Sequence, residues 1–140
     1  MTTTATAPPF AGYHHASITV RDVSASEAWY CQVLGLVRAF VEPHTDETGY
    51  AVAMTRPGTH FFLGINHHEA ADKTPFDARR TGLDHLAFAL SSRDELEGWV
   101  EHLDALGVHH DPIVERPGTL GLVAFRDPDG VALELIWTGK

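Results

Sequence analysis

Hydrophobic and polar residues alternate with a period of two in Tyr13–Val20, which predicts a strand with Ala16, Ile18 and Val20 on one face and His15, Ser17 and Thr19 on the other. The same pattern returns in Leu83–Leu90, with Leu86, Phe88 and Leu90 opposite His85, Ala87 and Ala89. A helical stretch follows each strand. The first carries Trp29, Val33 and Leu34 and stops at Gly35; the second carries Leu96, Trp99, Val100, Leu103 and Leu106 and stops at Gly107. Ser24-Ala-Ser-Glu27 and Ser92-Arg-Asp-Glu95 read as capping boxes at their starts.

Further strands are predicted at Gly35–Phe40, Tyr50–Met54 and His60–Ile65 in the first half, and at Val108–Val114, Leu120–Arg126 and Val131–Trp137 in the second. Arg56-Pro57-Gly58 and Asp127-Pro128-Asp129-Gly130 precede the last strand of each half as turns. The chain therefore reads as two copies of a β-α-β-β-β unit. Module one spans about 13–66, a crossover with at most one helical turn 67–81, and module two about 82–138. Each module alone is near the size at which a domain is marginal, so the two are expected to form a single domain, 13–140, behind a flexible tail at 1–12.

Composition narrows the partners. Ten Lys and Arg face 19 Asp and Glu, a net charge of -9, and no basic stripe is present to neutralise phosphates. Nucleic acid and anionic membranes are not expected partners. No apolar run approaches the roughly 20 residues that cross a bilayer, and the N-terminal stretch lacks the charge and apolar core of a signal peptide. The single cysteine, Cys31, is read as a buried, inert thiol, which suits a cytoplasmic location. No phosphate loop, serine-centred elbow or paired cysteines are found.

Glu134 is the anomaly of the last strand. It shares a face with Ala132 and Ile136, opposite the bulkier Val131, Leu133, Leu135 and Trp137. A carboxylate in such a strand calls for a cation or several donors nearby. His15 and His85 likewise lie opposite the apolar faces of their strands. Facing one cavity, the three would offer two imidazoles and a carboxylate to Fe²⁺, Mn²⁺, Zn²⁺, Co²⁺ or Ni²⁺, with coordination positions left open. Surface histidines are the alternative, since the chain contains ten.

The run His15-x-x-Ile18-x-Val20-x-Asp22 with Trp29-Tyr30 and Leu34-Gly35-Leu36, together with Gly82-Leu-Asp-His85-Leu-Ala-Phe and Phe125-Arg-Asp-Pro-Asp-Gly130-Val-Ala-Leu-Glu134, resembles the vicinal oxygen chelate superfamily of glyoxalases, extradiol dioxygenases and bleomycin resistance proteins. The resemblance covers Tyr13 to Trp137. It implies an α+β fold in which two tandem β-α-β-β-β modules form a curved eight-stranded open barrel with a metal/ligand cavity, often completed in a homodimer. It also implies His15, His85 and Glu134 as ligands of a divalent metal ion. An offset of 72 residues makes Phe62 the counterpart of Glu134, where many glyoxalases have a fourth ligand.

The implied function is a metal-dependent enzyme acting on a small substrate with vicinal oxygens, as a ring-cleaving dioxygenase or a glyoxalase-like lyase or isomerase. The alternative is a non-catalytic antibiotic-binding protein of the bleomycin resistance type, which the negative charge would suit for a cationic drug. His60, two residues before Phe62, is the candidate general base, and Tyr50 a candidate for orienting the substrate. His14 points away from His15 by alternation, and His67-His68 and His109-His110 read as exposed loop histidines.

Overall fold

The computed structural model describes residues 7–139; Met1–Thr6, half of the expected tail, and Lys140 lie outside them. The first unit is β1 (His15–Thr19), α1 (Val23–Leu34), β2 (Val37–Pro43), β3 (Gly49–Thr55) and β4 (Phe62–His68). The second is β5 (Leu86–Ala89), α2 (Glu95–Ala105), β6 (Val114–Arg116), β7 (Leu120–Arg126) and β8 (Ala132–Trp137). Both have the predicted β-α-β-β-β order.

The expected eight-stranded barrel is not formed. Each module makes its own four-stranded sheet, ordered β1-β4-β3-β2 and β5-β8-β7-β6, and among the described residues no ladder joins them. The physical reason lies in which faces the chain buries. Ile18, Met54, Leu63 and Ile65 of the first sheet and Val123, Leu133 and Leu135 of the second belong to one continuous apolar cluster with the helix residues Tyr30, Val33, Leu96 and Leu103. The helix-covered sides of both sheets are thus merged, at roughly 1.5–3 kcal/mol for each large side chain removed from water. The histidine-bearing faces remain outside that core.

Local chemistry also shifts the helix boundaries. Helix α1 is capped by the Asp22 side chain, which accepts from the Ala25 N–H at 3.0 Å, instead of by Ser24. Gly35 ends it at φ 65, a left-handed conformation that favours glycine. Helix α2 begins after Asp94 without a side-chain cap; Glu95 turns back to accept from the Ser91 N–H at 2.9 Å. Cys31 is exposed, because it falls on the outer side of α1 while Tyr30, Val33 and Leu34 take the inner one. The segment between β4 and β5 contains no helix and is tied down by the Phe76 N–H, which donates to the Asp129 carbonyl at 3.0 Å. Among the described residues, no helix is long and apolar enough to cross a membrane.

A long-range clasp fastens the modules. Asp127 accepts from the backbone N–H groups of Asp129 and Val131 at 2.9 and 2.8 Å and from the Tyr30 hydroxyl of α1 at 2.9 Å. Asp129 is ion-paired with Arg21, in the loop after β1. The Asp127–Gly130 turn is therefore a tight turn, as its sequence predicts, and also the part of module two that grips module one.

Candidate metal centre

Two of the three predicted ligands come together. Parallel pairing of β5 with β8 sets Ala87 opposite Glu134, so that His85, two residues earlier, shares its face. His85 Nε2 lies 3.7 Å from Glu134 Oε2. The carboxylate is partly buried, with 23% of its side chain exposed, and this imidazole is its ionic neighbour among the described residues. His85 Nδ1 is 2.7 Å from Asp84 Oδ1. That hydrogen bond holds His85 above the usual imidazole pKa, with Glu134 adding to the effect and desolvation opposing it. In the neutral ring Nδ1–H donates to Asp84, which leaves the Nε2 lone pair directed to the side where Glu134 stands.

His15 lies on the equivalent face of the other sheet. It borders a cavity of about 710 Å³ with Ser17, Phe40, Glu42, His44, Phe62 and His68, whereas Glu134 borders one of about 740 Å³ with His85, Asp84, His110 and Arg126. Among the described residues, no three His, Cys, Asp or Glu side chains of a single chain are placed to hold a metal ion. His15 and His85 both line a third cavity, of about 700 Å³, at the seam between the modules.

The register corrects one equivalence. His15 pairs with Phe62 and Ser17 with Gly64, while Ala87 pairs with Glu134. The residue of module one that matches Glu134 is therefore Gly64, 70 positions earlier like His15 and His85, and not Phe62. Gly64 cannot be a ligand, and a side chain there would collide with the Ser17 hydroxyl. Ser17 accepts from Asn66 Nδ2, and Asn66 Oδ1 is 3.1 Å from His44 Nε2. With Oδ1 as acceptor, His44 donates from Nε2.

The other candidates are dispersed. His60 precedes β4 and borders the seam cavity, away from the wall that holds His15, Ser17 and Phe62. Tyr50 pairs with His67, their rings 5.3 Å apart, on the face of β3 opposite Ala51, and Ala51 is the one that borders the His15 cavity. His67 and His68 are half-buried strand residues instead of loop residues, and His68 packs on His44 with ring centroids 4.5 Å apart. His110 is held by Asp104 at 3.2 Å and the Asp111 carbonyl at 2.8 Å. Sequence reasoning assigned no role to Asp84 or to His44 and Asn66. The adjacency of Asp84 to a candidate ligand was a usable signal, whereas the His44–Asn66–Ser17 chain joins three separate strands or turns and left none.

Comparison with known proteins agrees with this architecture. The glyoxalase/bleomycin resistance protein/dioxygenase superfamily model matches residues 12–135. An uncharacterized protein of Escherichia coli (strain K12), YaeR, is 28% identical over 123 residues, covering 87% of this chain and 92% of its own. A solved glyoxylase/bleomycin resistance protein/dioxygenase domain from Frankia sp. EAN1pec is 31% identical, covers 93% of both chains and superposes with a TM-score of 0.81. The fosfomycin resistance protein FosX of Listeria monocytogenes, solved with Mn(II) and dihydroxypropylphosphonic acid, shares the fold at 18% identity and a TM-score of 0.65, covering 94% of both chains. From its two modules, their register and these matches, the chain belongs to the glyoxalase/bleomycin resistance protein/dioxygenase superfamily.

Proposed function

We propose that this protein is a divalent-metal enzyme acting on a small substrate with neighbouring oxygens, by ring-cleaving dioxygenation or by glyoxalase-like lyase or isomerase chemistry, and that it works as a homodimer. The observation that carries the reading is the His85–Glu134 pair, 3.7 Å apart on one sheet face with His85 oriented by Asp84. An imidazole and a carboxylate at that separation, each with a free donor atom, fit two positions around Fe²⁺, Mn²⁺, Zn²⁺ or Ni²⁺. The Mn(II) bound by FosX, a protein of the same fold, supports a divalent ion.

The third ligand is His15 of a second copy. A two-fold axis that lays the first sheet of one copy over the second sheet of the other brings His15 to His85 and Glu134 twice. The bound ion would supply Lewis acidity toward vicinal substrate oxygens. The first-sheet wall then closes the cavity: Phe40 and Phe62 hold the apolar part of the substrate, and Ser17 supplies a hydroxyl beside His15. The proton-transfer role that the sequence suggests for His60 falls to His44 or His68, the imidazoles on the wall of His15.

Elemental analysis of untagged protein tests the reading, with His15→Ala and Glu134→Ala as comparisons. Near-stoichiometric metal that is lost in both variants is expected. Mixing the two variants should restore metal, because each mixed dimer carries one intact site and one doubly mutated site. Restoration absent from mixed dimers would refute the shared site.

The second reading, a binding protein for a cationic drug, draws on the same first-sheet wall, where Phe40 and Phe62 stand with Glu42 and Asp46. A metal-free protein that still binds a cationic aromatic antibiotic without turnover would favour it.

A further inference from the structure

The two modules meet at two equivalent seams, and only one of them is locked. The turn before the last strand of module two leans on the loop after β1 and on α1, and the corresponding turn of module one sets Arg56 over Trp99 of α2. At the first seam Asp127 takes the Tyr30 hydroxyl and Asp129 is ion-paired with Arg21. At the second, the ladders place Arg56 and Gly58 at the positions of Asp127 and Asp129, and Ser91 at the position of Arg21. The carboxylates that close the first seam are missing there, and a cavity of about 700 Å³ remains.

That volume lies within the range of small-molecule pockets, roughly 300–1,000 Å³. Leu34, Phe61, Phe88, Leu90 and Trp99 give it a large apolar wall, and His60 and Glu95 are among its polar lining. Arg56 stands at its edge, 5.8 Å from the Trp99 ring centre, with Nη1 donating to the Leu34 carbonyl at 3.2 Å. No carboxylate among the described residues is ion-paired with Arg56, and the Glu95 carboxylate nearby is engaged by the Ser91 N–H. A chamber with a continuous apolar wall, and a guanidinium at its edge that no carboxylate is ion-paired with among the described residues, fits an apolar molecule carrying one anionic group, because a guanidinium pairs with a carboxylate through two parallel hydrogen bonds.

We propose that this open seam is a binding pocket for a small apolar carboxylate. Its hydrocarbon or aromatic body lies among Phe61, Phe88 and Trp99, and its carboxylate sits on Arg56 in the place that the first seam gives to its own acidic turn. His15 and His85 of the candidate metal centre also line this pocket, whereas Glu134 lines a different cavity.

The test is calorimetric titration of metal-stripped, full-length protein with octanoate and 4-phenylbutyrate, and with their uncharged counterparts 1-octanol and 4-phenylbutanol. Saturable binding of at least one acid, tighter than its alcohol, is expected. Arg56→Met should weaken the acid about tenfold or more and leave the alcohol unchanged, while Arg56→Lys keeps most of the affinity. Glu134→Ala should bind the acid as the parent does, which separates this pocket from the metal centre. Thermal melts establish that each variant is folded. Absence of saturable binding by both acids, an affinity indifferent to Arg56→Met, or loss of binding in Glu134→Ala would overturn the proposal.

Discussion

Asp84 Oδ1 accepts from His85 Nδ1 at 2.7 Å, whereas His14, which occupies the equivalent place in module one, sets its own Nδ1 2.9 Å from His15 Nδ1. The two candidate ligands thus have unequal supports: a carboxylate for His85 and a second imidazole for His15. A carboxylate behind an imidazole fixes its tautomer and raises its basicity as a ligand. Asp84→Asn is expected to weaken divalent metal binding by about 10- to 100-fold with the fold intact. His14→Ala is expected to cost less. Competition titration with a chromophoric chelator measures both, and equal losses would contradict the asymmetry.

Gly64 holds the module-one position of Glu134. A side chain there would run into the Ser17 hydroxyl and stand 3.1 Å from Ser17 Cβ. Gly64→Ala should therefore force Ser17 to turn away from Asn66 and destabilise the protein by about 1–3 kcal/mol. The loss should shrink in a Ser17→Ala background, because the two side chains are in direct contact. Urea denaturation of the four proteins in this cycle provides the measurement, and a strictly additive result would count against the contact.

The placement of His85 and Glu134 was legible in the sequence because both depend on strand parity, and β5 and β8 alternate as written. The counterpart of Glu134 was misread by two residues. The glycines that end the helices are 72 apart, since the connection from β5 to α2 is two residues longer than that from β1 to α1, while the strand pairs keep an offset of 70. The barrel was misread for a different reason. Which faces of two sheets meet is decided by contacts such as Tyr30 with Asp127, and His102 Nε2 with the Val33 carbonyl at 2.9 Å, between residues far apart in sequence. Such contacts have no period to detect. Cys31 shows the same limit on a smaller scale, because one step around a helix separates buried Tyr30 from an exposed thiol.

The Tyr30–Asp127 bond makes a pH-dependent prediction. Burial raises the Asp127 pKa above the usual carboxylate value, and its bonds from the Val131 N–H, Tyr30 and the Asp129 N–H only partly oppose this. A raised folded pKa means that Asp127 contributes most stability below its unfolded value and loses it as pH rises through the folded one. Tyr30→Phe removes one of the opposing donors and lifts the pKa further. The variant should lose about 1–3 kcal/mol at neutral pH and less near about pH 4, where more of the acid is protonated. Chemical denaturation at both pH values checks the sign; a loss that grows on acidification would contradict it.

The start of α1 separates two readings of the same six residues, Asp22 to Glu27. Ser24 and Glu27 have the spacing of a capping box, but the helix begins one residue before Ser24, so Ser24 already lies within its first turn. Glu27 is engaged instead by Arg38 of β2, whose Nε donates to Oε1 at 2.7 Å. Asp22 does the capping, through its bond from the Ala25 N–H, and its negative charge also suits the positive end of the helix dipole. Asp22→Ala is expected to cost about 1 kcal/mol, and Ser24→Ala, at an exposed helical position, close to nothing or a slight gain. Because Asp22 directly follows Arg21 of the clasp, the Asp22→Ala loss should also appear as faster amide exchange at Ser26, whose N–H donates to the Asp22 carbonyl at 3.0 Å. A Ser24→Ala loss equal to or larger than that of Asp22→Ala would return the cap to the box.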